Sequence, residues 1–537
     1  MHVSKPQGDR VSLAVNPSGS DTTMQEIPSN TPVLVGAAQF TDRIADAHYE
    51  QLSPVAITAR AASLALADVG VANLEYRIDL LMTTRTFEDS APVLAFPFGR
   101  SNNFPRSVCQ RLNIDPPHAV WATSGGDTPQ TMVTEACDRI AAGEVSVALL
   151  CGGEALSTGR HLVKTEQGVD WSEEIDAPVD DRGATIDFLT HDELANGLIT
   201  PPLFHGVMEN ARRKAAGASI EQWQREMAAL FAPLSQVAAG NPYAAQHERG
   251  FSVDDLITLG EGNRLVVDPY PQRLIARDQV NQSAALVIVA SSVADDLGIP
   301  AEQRVYLYAQ AAAGEQPVTL RPDMGEAPSA GLALRTALER AEMSAADIDL
   351  FDFYSCFPIA VSNAIAGLGI DPADPRGLTL TGGLPYFGGP GNSYSMHAIA
   401  EAVVRLRSAH GDSALIAANG GFLTKYAVGI YGRTPRPYLA FSNEALDQQM
   451  RALGSRVFES KPAGEAAIES YTLSFDRGGA PKIATVAATL MHSGARCLAR
   501  SVDGDQKTLR QVVASDPLDR HISIETGEGF NTFAFRD

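Results

Sequence analysis

The feature that most constrains what this chain can fold into is an internal repeat. Ile348-Asp349-Leu350 repeats Ile78-Asp79-Leu80 at an offset of 270, and Gly411 and Gly420 repeat Gly143 and Gly152 at 268. The run Arg304 to Gln310 answers Pro32 to Phe40, and the stretch Ala330 to Glu342 reads as the helix that follows. One matching anchor arises easily by chance. Several at near-constant spacing indicate a duplicated unit. Within each copy, short apolar runs such as Val33-Leu34-Val35 and Val145 to Leu150 alternate with helical patterns, as in Ser53-Pro54 to about Ala67 and the stretch from Asp127 to Ala142. That alternation predicts mostly parallel sheets covered on both faces.

Around the repeat the chain divides unevenly. Residues 1–30 are polar, rich in Ser, Asp, Asn and Pro, and read as a disordered tail with no apolar leader core. The first half spans 31–303 and is interrupted at about 157–278 by a mixed helix-and-loop insertion; the second half spans 304–432. An insertion this long usually has a job, as a lid or binding subdomain. Beyond Pro435 the pattern changes. Ala466 to Phe475 and Lys482 to Met491 alternate apolar and polar residues around Asp476-Arg477-Gly478-Gly479, a hairpin signal. Residues 436–537 therefore read as a small β-barrel.

Composition excludes some roles. A formal charge of -22 argues against nucleic acid and anionic membrane as partners. No stretch has membrane-spanning length without polar interruption. The five cysteines have no paired spacing, which fits buried thiols in a reducing cytoplasm. No metal-binding pattern is present. The densest motif is Gly382 to His397, a glycine loop running into an apolar helix at Ala398 to Leu406, with Asn392 or Ser393 as its N-cap. Such a loop brings backbone and helix N–H groups close to a ligand, or simply turns a strand into a helix.

The order of Gly152-Gly153-Glu154, Tyr354-Ser355-Cys356-Phe357, Gly382-Gly383-Leu384 to Gly388-Gly389-Pro390 and Asn419-Gly420-Gly421 resembles the thiolase superfamily over about residues 31–432. The resemblance is to the branch related to sterol-carrier-protein thiolases, and the tail is similar to that of thiolase-like proteins type 1. It implies duplicated five-stranded α/β halves layered α-β-α-β-α, plus an OB-like antiparallel barrel. It also implies what is missing. The nucleophile position falls at Gly126, with Ser124 two residues off; the histidine position falls in Gly388-Gly389-Pro390; the second cysteine is replaced in Ala418-Asn419-Gly420. Without a nucleophile, acyl transfer through a covalent acyl-enzyme cannot proceed.

The resemblance thus implies an acyl-CoA-binding protein of lipid or sterol metabolism that does not run ordinary thiolysis. Two alternatives stay open: a retro-aldolase on 3-hydroxyacyl-CoA using tyrosine, or a non-catalytic partner or scaffold. An active enzyme would be an acyltransferase or an acyl-CoA aldolase. Tyr354, Tyr386 and His397 are the candidate acid/base groups; each also reads as ordinary buried packing. Gly125, Gly126, Asn281, Cys356, Gly389, Asn419 and Gly420 are the candidate substrate-binding positions. Cys356 reads equally as an inert thiol, and Asn281 as support for a loop beneath the pocket. Arg212 and Arg213 are candidates for the phosphates of coenzyme A, the expected ligand, or else a solvated helix face. No covalently bound cofactor is expected, and the chain is expected to be a monomer or a homodimer.

Overall fold

The computed structural model describes residues 27–536 except 92, 94, 186 and 187; most of the polar tail lies outside the described residues. The first half contains β1 (Pro32–Thr41), α1 (Pro54–Val69), β2 (Leu80–Thr83), α2 (Phe104–Leu112), β3 (His118–Trp121), α3 (Thr128–Ala141) and β4 (Val147–Ala155). The insertion follows, with α4 (Leu156–Lys164), α5 (Pro201–Ala216) and α6 (Ile220–Gly240), and the half closes with β5 (Asn281–Ala290). The second half repeats the plan: β6 (Tyr306–Gly314), α7 (Pro328–Arg340), β7 (Leu350–Phe353), α8 (Pro358–Leu368), α9 (Tyr394–Arg407), β8 (Ser413–Gly420) and β9 (Lys425–Gly432).

Strand order confirms the duplication. The first sheet runs β1-β5-β4-β2-β3, with the two-residue strand Asp180–Asp181 of the insertion on the far side of β3, and the second β6-β9-β8-β7. The fifth position of the second sheet is filled by 378–381. Phe353 N–H donates to Leu378 O at 3.0 Å there. The Asp352 carboxylate replaces further ladder bonds, accepting from Leu380 N–H at 2.8 Å and the Thr379 hydroxyl at 2.9 Å.

Helices α3 and α9 form the layer between the two sheets. A helix with a sheet on each side needs apolar or small residues all round. Met396, His397, Ala398, Ile399 and Ala400 are accordingly all buried. Helix α9 begins at Tyr394, earlier than its apolar run predicts, and neither Asn392 nor Ser393 caps it through a side chain. Asn392 is used across the two halves instead. Its Oδ1 accepts Gly125 N–H at 3.0 Å, and its amide donates to Arg85 O and Ser90 Oγ at 2.9 Å.

The barrel comprises β10 (Gly464–Phe475), β11 (Pro481–Leu490), β12 (Arg496–Arg500), α10 (Gln506–Ala514), β13 (His521–Thr526) and β14 (Asn531–Phe535). It closes as β10-β11-β12-β14-β13-β10, with a parallel contact at Arg500–Thr532. Closure leaves it no free edge. It is seated on the insertion: Asn210 Nδ2 donates to Tyr471 O at 3.1 Å, and the Arg213 guanidinium forks onto Asp516 at 2.6 and 3.0 Å. Residues 436–463 precede the barrel and run along the second half, where Gln310 Nε2 donates to Phe441 O at 3.2 Å.

Candidate active site

The two halves meet over Gly126, in the loop between β3 and α3, and Gly420, at the end of β8. Gly126 is glycine for a steric reason. A Cβ there would overlap the Tyr354 hydroxyl and sit 2.6 Å from Tyr354 Cζ and 2.5 Å from Asn419 O. Tyr354 extends the line of β7, its N–H donating to Ala417 O at 2.9 Å. Its ring packs edge-on to Tyr394 at 5.3 Å. Burial, with Cys356 and Asp127 beside it, holds its phenol far above the ordinary range, so it stays protonated at neutral pH.

Asp127 is the group that sequence reasoning missed. Its Oδ1 lies in the space left by the missing side chains of Gly125 and Gly420. That oxygen is buried, with no hydrogen-bond partner among the described residues. Burial lifts the carboxyl to about 6, against a downward pull from Lys425. The only sequence signal was an acidic residue just ahead of α3, a position that reads as an ordinary N-cap; yet its side chain caps nothing. A carboxyl poised near neutrality beside a protonated phenol is a pair suited to proton transfer.

The other predicted residues divide. Gly125, Gly126, Asn419 and Gly420 do converge on this spot. However, the Gly125 N–H is taken by Asn392, so it is not free as an oxyanion donor. Gly389 N–H donates to Arg277 O at 2.7 Å. Tyr386 packs its ring at 5.8 Å against Phe251 of the insertion, and its buried hydroxyl has no partner among the described residues. His397 is fully buried in the central layer, with Nδ1 3.0 Å from Gln39 Oε1 and its ring against Phe387. Burial drives its imidazole down to about 3, so it is neutral, and its ring partners are not cleft groups.

Asn281 is also corrected. Its amide donates to Asp42 O at 2.7 Å and its Oδ1 accepts Thr158 N–H at 2.8 Å, so both ends are spent on backbone. Arg213 is withdrawn from phosphate binding, being buried and committed to Asp516. Arg212 pairs with Glu326 at 2.8 Å. Cys356 Sγ lies 3.8 Å from His205 Nε2, and His205 Nδ1 is 2.8 Å from Pro201 O, which makes Nε2 the acceptor. Burial pushes this thiol up to about 12 and the imidazole down to about 3. The pair is therefore neutral, unlike a catalytic thiolate–imidazolium. Among the described residues no group of His, Cys, Asp and Glu forms a metal site.

A two-sheet α/β scaffold sandwiching two helices, with a closed barrel appended, defines a thiolase-fold protein. The comparisons make this specific. A crystal structure of a monomeric SCP2-thiolase-like protein type 1 from Mycobacterium smegmatis is 36% identical, covers 95% of this chain and 100% of its own, and superposes with a TM-score of 0.81. The chain belongs to the SCP2-thiolase-like protein type 1 family. Residues 445–528 match the model of the thiolase-like protein type 1 additional C-terminal domain.

More distant structures share the fold alone. An Ltp2-ChsH2(DUF35) aldolase is 17% identical over 75% of this chain and 98% of its own, with a TM-score of 0.54. The dimeric peroxisomal thiolase of Saccharomyces cerevisiae is 15% identical over 76% and 98%, with a TM-score of 0.54. No curated protein sequence matches the chain. No helix among the described residues is long and apolar enough to cross a membrane.

Proposed function

We propose that the cleft over Gly126 binds an acyl-CoA thioester and that the chain does not catalyse ordinary thiolysis. The observation that carries this is the Tyr354 hydroxyl, which occupies the space a nucleophilic side chain at residue 126 would need. Gly389 and Ala418 offer neither an imidazole nor a thiol in compensation. In an assay following loss of 3-ketoacyl thioester absorbance from acetoacetyl-CoA and CoA, turnover is expected to be indistinguishable from buffer. Calorimetry with acetyl-CoA is expected to show saturable binding. Thiolase-like turnover, or no binding at all, would sink the reading.

A second reading is favoured by one specific observation, the Asp127–Tyr354 pair. In this reading Asp127 removes the hydroxyl proton of a 3-hydroxyacyl thioester. The Cα–Cβ bond then breaks to a ketone and a thioester enolate, and Tyr354 returns a proton to the enolate. A branched 3-hydroxyacyl-CoA should release ketone, with a rate that rises as pH passes about 6 because the base must be ionised. Asp127→Asn and Tyr354→Phe should each lower the rate at least about a hundredfold. Absence of ketone would leave binding as the whole function. The outer edge of β3 pairs with Asp180–Asp181 of the same chain, which supports a monomer, since that edge is then not free to pair with a second copy.

A further inference from the structure

Beyond the Gly126 cleft, the ends of β1 and β5 and the side of α4 enclose a groove of about 400 Å³. Its walls carry Arg43, Arg160, His161, Lys164 and Arg277, in a chain whose net charge is -22. The acids there are satisfied. Asp42 accepts backbone N–H groups of Glu50 at 2.9 Å and Leu52 at 3.3 Å. Asp278 takes a bidentate fork from Arg160 at 2.9 and 2.5 Å. Arg43 is spent mainly on the carbonyls of Pro242 and Ala244.

Arg277 is different. Its backbone is fixed from two sides, N–H to Leu384 O at 3.1 Å and O from Gly389 N–H at 2.7 Å. Its Nε is inaccessible to water and has no partner among the described residues. Its guanidinium makes no side-chain hydrogen bond or ion pair among the described residues, and where it lines the groove an anion can meet it. Burial pulls its pKa down, and the nearby Asp278 carboxylate offsets only part of that. Lys164 stands exposed on the same wall.

We propose that this groove is an anion site for a phosphate-bearing small molecule, with Arg277 forking onto phosphate oxygens and Lys164 adding a second cation. Planar forked donors suit phosphate, and an ammonium adds a point charge without geometric demand. The inference stands on the groove itself and does not depend on the chemistry at Gly126.

The test is calorimetric titration of the full chain with pyrophosphate at low ionic strength. Saturable binding is expected, weakened about tenfold or more by Arg277→Gln and several-fold by Lys164→Ala. Arg277→Lys should fall between wild type and Arg277→Gln. If Arg277→Gln does not fold, Lys164→Ala and Arg277→Lys carry the result. Competition by CoA would assign the phosphate to a thioester carrier. Independent CoA binding, or none, would assign it to a separate phosphorylated metabolite. No saturable heat up to about 10 mM pyrophosphate, or variants that bind like wild type, would overturn the proposal.

Discussion

Gly126→Ala is expected to lower the stability of the folded chain by about 3 kcal/mol, the upper end for overpacking a close-packed interior. The backbone at 126 is not in the left-handed region, so the cost is purely steric. The added methyl would meet the Tyr354 ring and the Asn419 carbonyl, at 2.6 and 2.5 Å. Gly126→Cys should cost at least as much and restore no thiolysis, because base and acid are still lacking. Combining Gly126→Ala with Tyr354→Ala should recover part of the loss. The recovery is partial because the Asn419 carbonyl is backbone and cannot swing away. Sites in contact are coupled, so the double variant should deviate from additivity. Thermal unfolding of wild type, Gly126→Ala, Tyr354→Ala, the double variant and Gly126→Cys measures this. A Gly126→Cys protein as stable as wild type, or one that cleaves acetoacetyl-CoA, would contradict the steric account of the cleft.

The second large effect is on pH. Glu209 is fully buried on α5, accepting from the Tyr270 hydroxyl at 2.6 Å and Trp223 Nε1 at 2.8 Å. Burial pushes its carboxyl from 4.5 up to about 7. The folded state therefore keeps a proton that the unfolded chain has already lost. Below pH 4.5 both states are protonated and nothing differs. Between pH 4.5 and about 7 stability falls by about 1.4 kcal/mol per unit, and above that it levels off. The group should cost roughly 3 kcal/mol across this window. Glu209→Gln keeps the shape and removes the titration. Its stability relative to wild type should rise from pH 4.5 to about 7 by that amount. Unfolding midpoints of both proteins across this range, followed by tryptophan fluorescence, report it directly. Parallel curves would show that Glu209 does not titrate where its burial places it.

Much of the architecture was legible in the chain. The repeat was readable because two copies of one unit need the same strand and helix periodicities at the same spacing. The hairpin at Asp476 to Gly479 was readable because its turn and its alternation are local. The site was less so. A glycine in the sequence shows that a side chain is missing, but not what fills the gap. At Gly126 it is Tyr354; at Gly391 a Cβ would overlap the Glu154 carboxylate. The Gly382 to His397 loop is thus buried joinery between halves, not an open cradle for a ligand. His397 lies in the first turn of the central helix, where no solvent reaches it.

The same holds for the charges. Arg213 looked like part of a basic run on a helix face. Its partner, Asp516, is 303 residues away in the barrel, and Asn392 meets Gly125 across 267. Arg277 carried no motif at all, and only the fold shows that its guanidinium is unmet. The sequence by itself determined the duplicated α/β scaffold and the appended barrel, since periodicity is a property of the chain. Only the tertiary structure decided which polar groups face each other and which are left without partners. Burial and pairing depend on atoms hundreds of residues apart, and these set the proton affinities of Asp127, Tyr354 and Glu209.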